Sequence, residues 1–361
     1  MRRGVRRGLA LGSATVLVAL LIEAARPRGG TSSMIDWDEV SRVARARLGG
    51  DRMDGPHRGR TAALYRRLAA ALEEPLLEAV GGLPPEVRLP DFQALDRPGW
   101  LDLNLDILRR VLEPLLEATR VPNSWLADLG RAGLDRYVAL LLAFLGRRVL
   151  GQFDPQLLGR EPVQQALYLV EPNVAAWEAT AGVPGRDLRR WLILHEMTHA
   201  WQFAAHPWLR EHLNVQLQSL VREAIAWRAV GTEPWRVLTA GLPAQRETVR
   251  RLQATMAMVE GHGNLVMNLV GRQILPSFDR LEEAYRRRSG ERSLLELLIW
   301  RMTGLELKLE QYRVGERFAR TIHDRYGMTV LNRVWTSPET LPTEEELRRP
   351  DLWHRRVVEG R

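Results

Sequence analysis

The chain has 361 residues, 45% of them apolar and 27% charged, which is enough for a real buried core and excludes a disordered or fibrous protein. Formal charge is +8, but Arg2, Arg3, Arg6, Arg7, Arg26 and Arg28 against Glu23 place +5 in the first thirty residues and leave +3 for the remainder. A nucleic-acid binder shows its basicity as a stripe on the folded domain, so no nucleic-acid partner is expected.

Residues 1–33 read as a basic and hydrophobic segment outside the fold, and residues 34–361 as a single domain. The run from Leu9 to Ile22 is shorter than the ~20 residues that span a bilayer comfortably. Extended through Glu23 to Ala25 it makes a short anchor, because a carboxylate near a helix end costs far less than one at the centre. No small-x-small cleavage site precedes Arg26, so membrane attachment through residues 9–25 is preferred over a removed signal peptide. If translation starts at Met34 instead, the protein is cytoplasmic.

From Ile35 onward the pattern is mostly helical. Asp36 to Leu48, Arg60 to Val80, Leu101 to Thr119 and Gly133 to Leu150 carry apolar residues at three- and four-residue spacing, separated by Gly/Pro breaks. Gln165 to Val170 has strand character and ends at Glu171-Pro172-Asn173. A helix is predicted from about Arg186 through Ala205, polar in its first turn and nearly all apolar from Trp191 on. A second long helix, Ala244 to Leu275, becomes apolar on almost every side after Ala254, the composition of a central helix. Thr343-Glu344-Glu345-Glu346 has capping-box spacing and should start the last helix. The expected fold class is mainly α (α+β), a helical domain with a small sheet.

There is no cysteine, so disulfides, iron–sulfur clusters and thiol nucleophiles are excluded and any metal must be held by His and carboxylate. The strongest local signal is His195-Glu196-Met197-Thr198-His199. Residues four apart share a helix face, so both imidazoles can reach one metal, with Glu196 projecting toward its water as a proton acceptor. All three lie in the apolar half of their helix, where ionisable groups are costly unless paired or metal-bound. A catalytic zinc needs a third protein ligand and an open position. Glu260 is preferred, with Asn264 one turn later placed to orient a ligand imidazole. His262 is the rival ligand, but it lies about 200° around the helix from Glu260. Failing that, it is an oxyanion-side donor with a catalytic role, or a buried histidine bonded to a carbonyl. Gly261 and Gly263 either loosen that geometry or let another helix pack close. His206 and His212 read as surface positions, and Trp191, Trp201, Trp208 and Trp227 as packing.

These residues, together with their flanks, carry a resemblance. Leu169-Val170-Glu171-Pro172-Asn173-Val174, Leu192 to Phe203 around the two histidines, Pro207 to Leu213, Val259-Glu260-Gly261-His262, Gln311 to Phe318 and Asn332 to Thr343 resemble the zincin-like metallopeptidase or hydrolase family often called Zincin 2. Some members carry names tied to deazaflavin cofactor biosynthesis. The resemblance implies a single zincin-like helical domain with His195, Glu196 and His199 as motif residues. It further implies that the third ligand comes from Glu260-Gly261-His262, and it supplies no substrate. Tyr312, Arg313 and Arg317 lie in one matching block, where they serve either an oxyanion or helix packing, and Asp154 either joins the site or caps a turn.

The leading expectation is a zinc-dependent metallopeptidase-type hydrolase acting on a peptide or amide carbonyl. Zinc would be held by His195, His199 and Glu260, with Glu196 as general base and the strand at Gln165 to Val170 offering an edge to an extended substrate. A non-catalytic zinc-containing scaffold and a metal-free helical interaction protein are the other readings.

Overall fold

The computed structural model describes residues 31–32, 35–50, 52–118, 121–122, 125–157, 166–229, 242–290 and 305–361. The expected anchor at residues 9–25 lies outside them. Among the described residues no helix is long and apolar enough to cross a membrane.

β1 (Thr31–Ser32) pairs antiparallel with β3 (Val121–Pro122). Helix α1 (Trp37–Leu48) starts where the Asp36 carboxylate accepts from the N–H groups of Asp38 and Glu39. Helix α2 (Gly55–Val80) begins five residues before the apolar pattern suggests, because Asp54 caps it and Pro56 sits in the first turn. Helices α3 (Arg97–Ala118) and α4 (Trp125–Gly146) follow β2 (Phe92–Leu95). The start of α4 precedes the expected Gly133, which the helix simply runs through.

β4 (Gly151–Phe153) and β5 (Leu167–Val170) complete a three-stranded sheet in the order β2-β5-β4. β5 is central, parallel to β2 and antiparallel to β4. The expected substrate edge on this strand is therefore corrected: both sides of β5 are already paired, and the outer edge nearest the histidine helix belongs to β4. Leu167 and Leu169 enter the main hydrophobic cluster, whereas Val170 enters a second one with α1, α3 and α4. The alternation of a strand thus lets the sheet serve two cores.

Helix α5 (Glu171–Glu178) leads to α6 (Gly185–Ala205), which is buried along most of its length from Asp187 to Phe203. Its first turns are fixed by Arg189, which donates to both Glu171 oxygens at 2.7 and 2.8 Å, to Glu178 at 2.9 Å and to the Tyr65 hydroxyl at 3.1 Å. Tyr65 in turn donates to Glu171, so α2, α5 and α6 share one polar knot beneath the apolar core. The bidentate Arg–carboxylate geometry satisfies charges that would otherwise be expensive here.

Helices α7 (Trp208–Ala229), α8 (Leu242–Ile274), α9 (Phe278–Gly290) and α10 (Leu305–Tyr326) follow. α8 and α10 cross with their backbones in contact. A Cβ on Gly261 would overlap the backbone of Gly315 and Glu316, and one on Gly315 would overlap the carbonyl of Ala257. Gly261 therefore admits a neighbouring helix rather than loosening its own.

A short helix, α11 (Met328–Leu331), and 3-10 turns at Asn332–Trp335 and Pro338–Thr340 precede α12 (Glu344–Arg348) and α13 (Pro350–Val357). The capping box at Thr343 and Glu346 forms, but it opens a five-residue helix and not the last one. Pro350 explains the break: it pushes Arg349 to φ −134°, ψ 76°, and then supplies the first turn of α13.

Glu346 also accepts two hydrogen bonds from Arg356, at 2.6 and 2.9 Å, joining α12 to α13. Burial pushes its carboxyl up, but Arg356 and the Thr343 N–H outweigh that and hold it below the usual carboxylate range. A group depressed in the folded state stabilises above its unfolded-state value and loses that contribution as pH falls through the lowered one. Glu346→Gln is therefore expected to lower Tm at neutral pH, with the gap to wild type closing on acidification. Thermal denaturation across a pH series checks this.

Candidate metal centre

Helix α6 presents His195 and His199 one turn apart, with their Nε2 atoms 3.2 Å from each other and their rings edge to face. Helix α8 brings in Glu260, whose Oε2 lies 3.7 Å from His199 Nε2. Ligand atoms of these three residues all fall within 4.8 Å of one another. Around a tetrahedral zinc, with ligand bonds of about 2.0–2.1 Å, such atoms stand roughly 3.3 Å apart, so the donor set fits. Burial, reinforced by His199, pushes His195 down to about 3, leaving a neutral imidazole with a lone pair to give.

Glu196 extends from α6 toward β4, close enough to His199 and Glu260 to feel their charges. Its carboxylate lies so close to Gly151 that a Cβ there would stand 2.5 Å from Oε1. Only glycine lets the strand approach, and the Phe153 N–H then donates to the carboxylate. Burial pushes Glu196 up to about 7; Glu260 adds to this, and His199 and the Phe153 N–H oppose it. A carboxyl near neutrality is matched to proton transfer.

His262 is the residue left out. It is wholly buried, stacked on Trp201 and edge-on to Trp335, with Nδ1 3.2 Å from Gln202 and Nε2 3.4 Å from Asn332. It does not join the grouped ligand atoms of His195, His199 and Glu260: α8 stays helical through Gly261, and the ring nitrogens face the Gln202 and Asn332 amides. Asn264 is not the group that orients His199: Gln202 Oε1 takes the Nδ1 position at 3.0 Å. Gln202 follows His199 by three residues on the same helix, a spacing that could have revealed it. Gly263 lies against the ring of His199, 3.1 Å from Cε1 to a notional Cβ.

His206 is also corrected. Pro207 suggests a surface turn, yet the ring is held between Trp201 and Trp335 and burial pushes its pKa down to about 4. Asp154 caps its turn, accepting from the Gln156 N–H at 2.8 Å and from Arg110 at 3.2 Å. Arg313 and Arg317 are exposed, and the side chain of Tyr312 lies outside the described residues.

A family model for zincin-like metallopeptidases matches residues 35–354. The chain belongs to that family. It is also similar to a crystal structure described as a "putative hydrolase with a novel fold" from Chloroflexus aurantiacus. The two are 34% identical with a TM-score of 0.67, over 89% of this chain and 98% of that one. No curated protein matches. The family implies a metal, and His195, His199 and Glu260 are the group among the described residues able to hold one.

Proposed function

We propose that residues 34–361 act as one zinc-dependent hydrolase unit on a peptide or amide bond. His195, His199 and Glu260 hold the metal and Glu196 serves as general base. The observation that carries this reading is the convergence of two imidazoles and a carboxylate, donated by two helices and sixty-one positions apart between His199 and Glu260, within 4.8 Å of one another. Without an ion, those groups have little reason to face each other in the core. When bound, zinc polarises the scissile carbonyl and lowers the pKa of water toward ~7.

The chain's own residues do the remaining work. Glu196 takes a proton from the attacking water on a carboxylate oxygen and returns it to the leaving nitrogen, and burial, which raises its carboxyl, favours the proton-carrying half of that cycle. The Phe153 N–H holds that carboxylate in place. The outer edge of β4, immediately beside Glu196, is where an extended substrate backbone can align.

Metal analysis of untagged protein tests the reading. Wild type is expected to carry one zinc per chain, Glu260→Ala to lose it on dialysis, and His262→Ala to keep the stoichiometry. A wild-type protein that takes up no divalent metal would overturn it.

A further inference from the structure

The polar contacts behind His199 form one continuous chain that can be wired in only one direction. It runs from Val80 at the end of α2, through Asn332 in the 3-10 turn and His262 in α8, to Gln202 and His199 in α6. Carbonyl oxygens accept and cannot donate, so each anchored carbonyl dictates the group facing it. The Val80 carbonyl accepts from Asn332 Nδ2 at 2.8 Å, which turns Asn332 Oδ1 toward His262 Nε2 at 3.4 Å. That nitrogen must then carry its hydrogen, and the neutral ring presents a bare Nδ1 to Gln202.

Gln202 Nε2 has two hydrogens and two acceptors, His262 Nδ1 at 3.2 Å and the Val259 carbonyl at 2.9 Å. Its Oε1 therefore faces His199, 3.0 Å from Nδ1, and that nitrogen must be N–H. The Nε2 of His199 is left with its lone pair aimed at Glu260 and His195. Two independent carbonyls, Val80 and Val259, impose the same answer.

We propose that Asn332, His262 and Gln202 are positioning residues that lock His199 in its Nδ1–H tautomer, the one able to bind a metal through Nε2. The consequence for metal affinity rests on the metal reading above; the tautomer itself does not. Outer partners of this kind are worth about 10–100-fold in metal affinity. His262 and Asn332 thus act on the metal without touching it, and breaking the far end should be felt at the near end. With Asn332 gone, Nε2 of His262 loses its acceptor and the ring is free to move its hydrogen to Nδ1, so Gln202 is held by the Val259 carbonyl alone and the tautomer of His199 is less firmly set.

The test uses the full chain with ¹⁵N-labelled histidine, without metal and then titrated with zinc against a competing chelator. In the metal-free wild type, His199 is expected as Nδ1–H and His262 as Nε2–H, opposite tautomers within one spectrum. Asn332→Leu, remote from the ligands, should mix the tautomers of both rings and weaken zinc binding about tenfold or more. Gln202→Met should do the same to His199 and leave His262 as Nε2–H, still set by Asn332. A purely structural role would lower Tm in Asn332→Leu with both tautomers unchanged, and that result overturns the proposal. So does a wild-type His199 found as Nε2–H. Absence of zinc binding in a wild type that shows the opposed tautomers sinks the metal reading and leaves the wiring intact, so the two failures are distinguishable.

Discussion

Glu196→Gln is expected to retain one metal per chain while losing about 10²–10⁴-fold in turnover, the usual contribution of a general base. The substitution is nearly isosteric, so the amide fits the space beside Gly151 and its oxygen can still accept from the Phe153 N–H. The ligand atoms of His195, His199 and Glu260 are untouched. What disappears is a group that can accept a proton. Because burial already disfavours the charged carboxylate, the neutral variant should be at least as stable as wild type, which separates lost chemistry from lost fold. The measurement pairs metal content and thermal stability with rates on a fluorogenic peptide library, and hydrolysis equal to wild type would remove Glu196 from the mechanism.

Gly315→Val is expected to abolish cooperative unfolding altogether. At this position the added carbon meets the carbonyl of Ala257 on a buried helix, and no side-chain rotation relieves a clash between backbones. Overpacking in a core costs about 1–3 kcal/mol when side chains can adjust, and more when they cannot, against a total stability of about 5–15 kcal/mol. The crossing lies one turn from Glu260, so the proposed third ligand is lost with it. Gly263→Ala on the same helix makes the contrast: its added methyl meets the His199 ring at 3.1 Å, which should weaken zinc binding while the chain stays folded. Urea denaturation followed by circular dichroism, with zinc titration of the variants that fold, distinguishes the two glycines.

The site was partly legible because its signals are local. Two histidines four apart on an apolar helix identify one half, and the angular position of Glu260 on a regular helix ranks it above His262. The helical fold was legible from spacing for the same reason. The sheet was visible only at β5, since β4 is three residues long and begins at a glycine, too short to show alternation. Glycines in the Glu260 block were ambiguous because their reason lies in another helix: Gly261 answers to Gly315, and Gly263 to a ring on α6. Asn332 had no local signal, because its partners are His262 and Val80, from which it is separated by 70 and 252 positions. His206 was misplaced on the same ground, since Trp335 covers it from near the other end of the chain.

The bond between Asn332 and the Val80 carbonyl also bears on how the protein is made. A nascent chain emerging from the ribosome exposes both histidines, then Glu260, while Asn332 is still unsynthesised. Until Asn332 has emerged, only Gln202 and the Val259 carbonyl bear on the proton arrangement of His199, and the His262 end of the chain of contacts is unset. On the metal reading, full affinity therefore waits for Asn332, and truncation shortly before it should yield a product with every proposed ligand and a weaker grip on zinc.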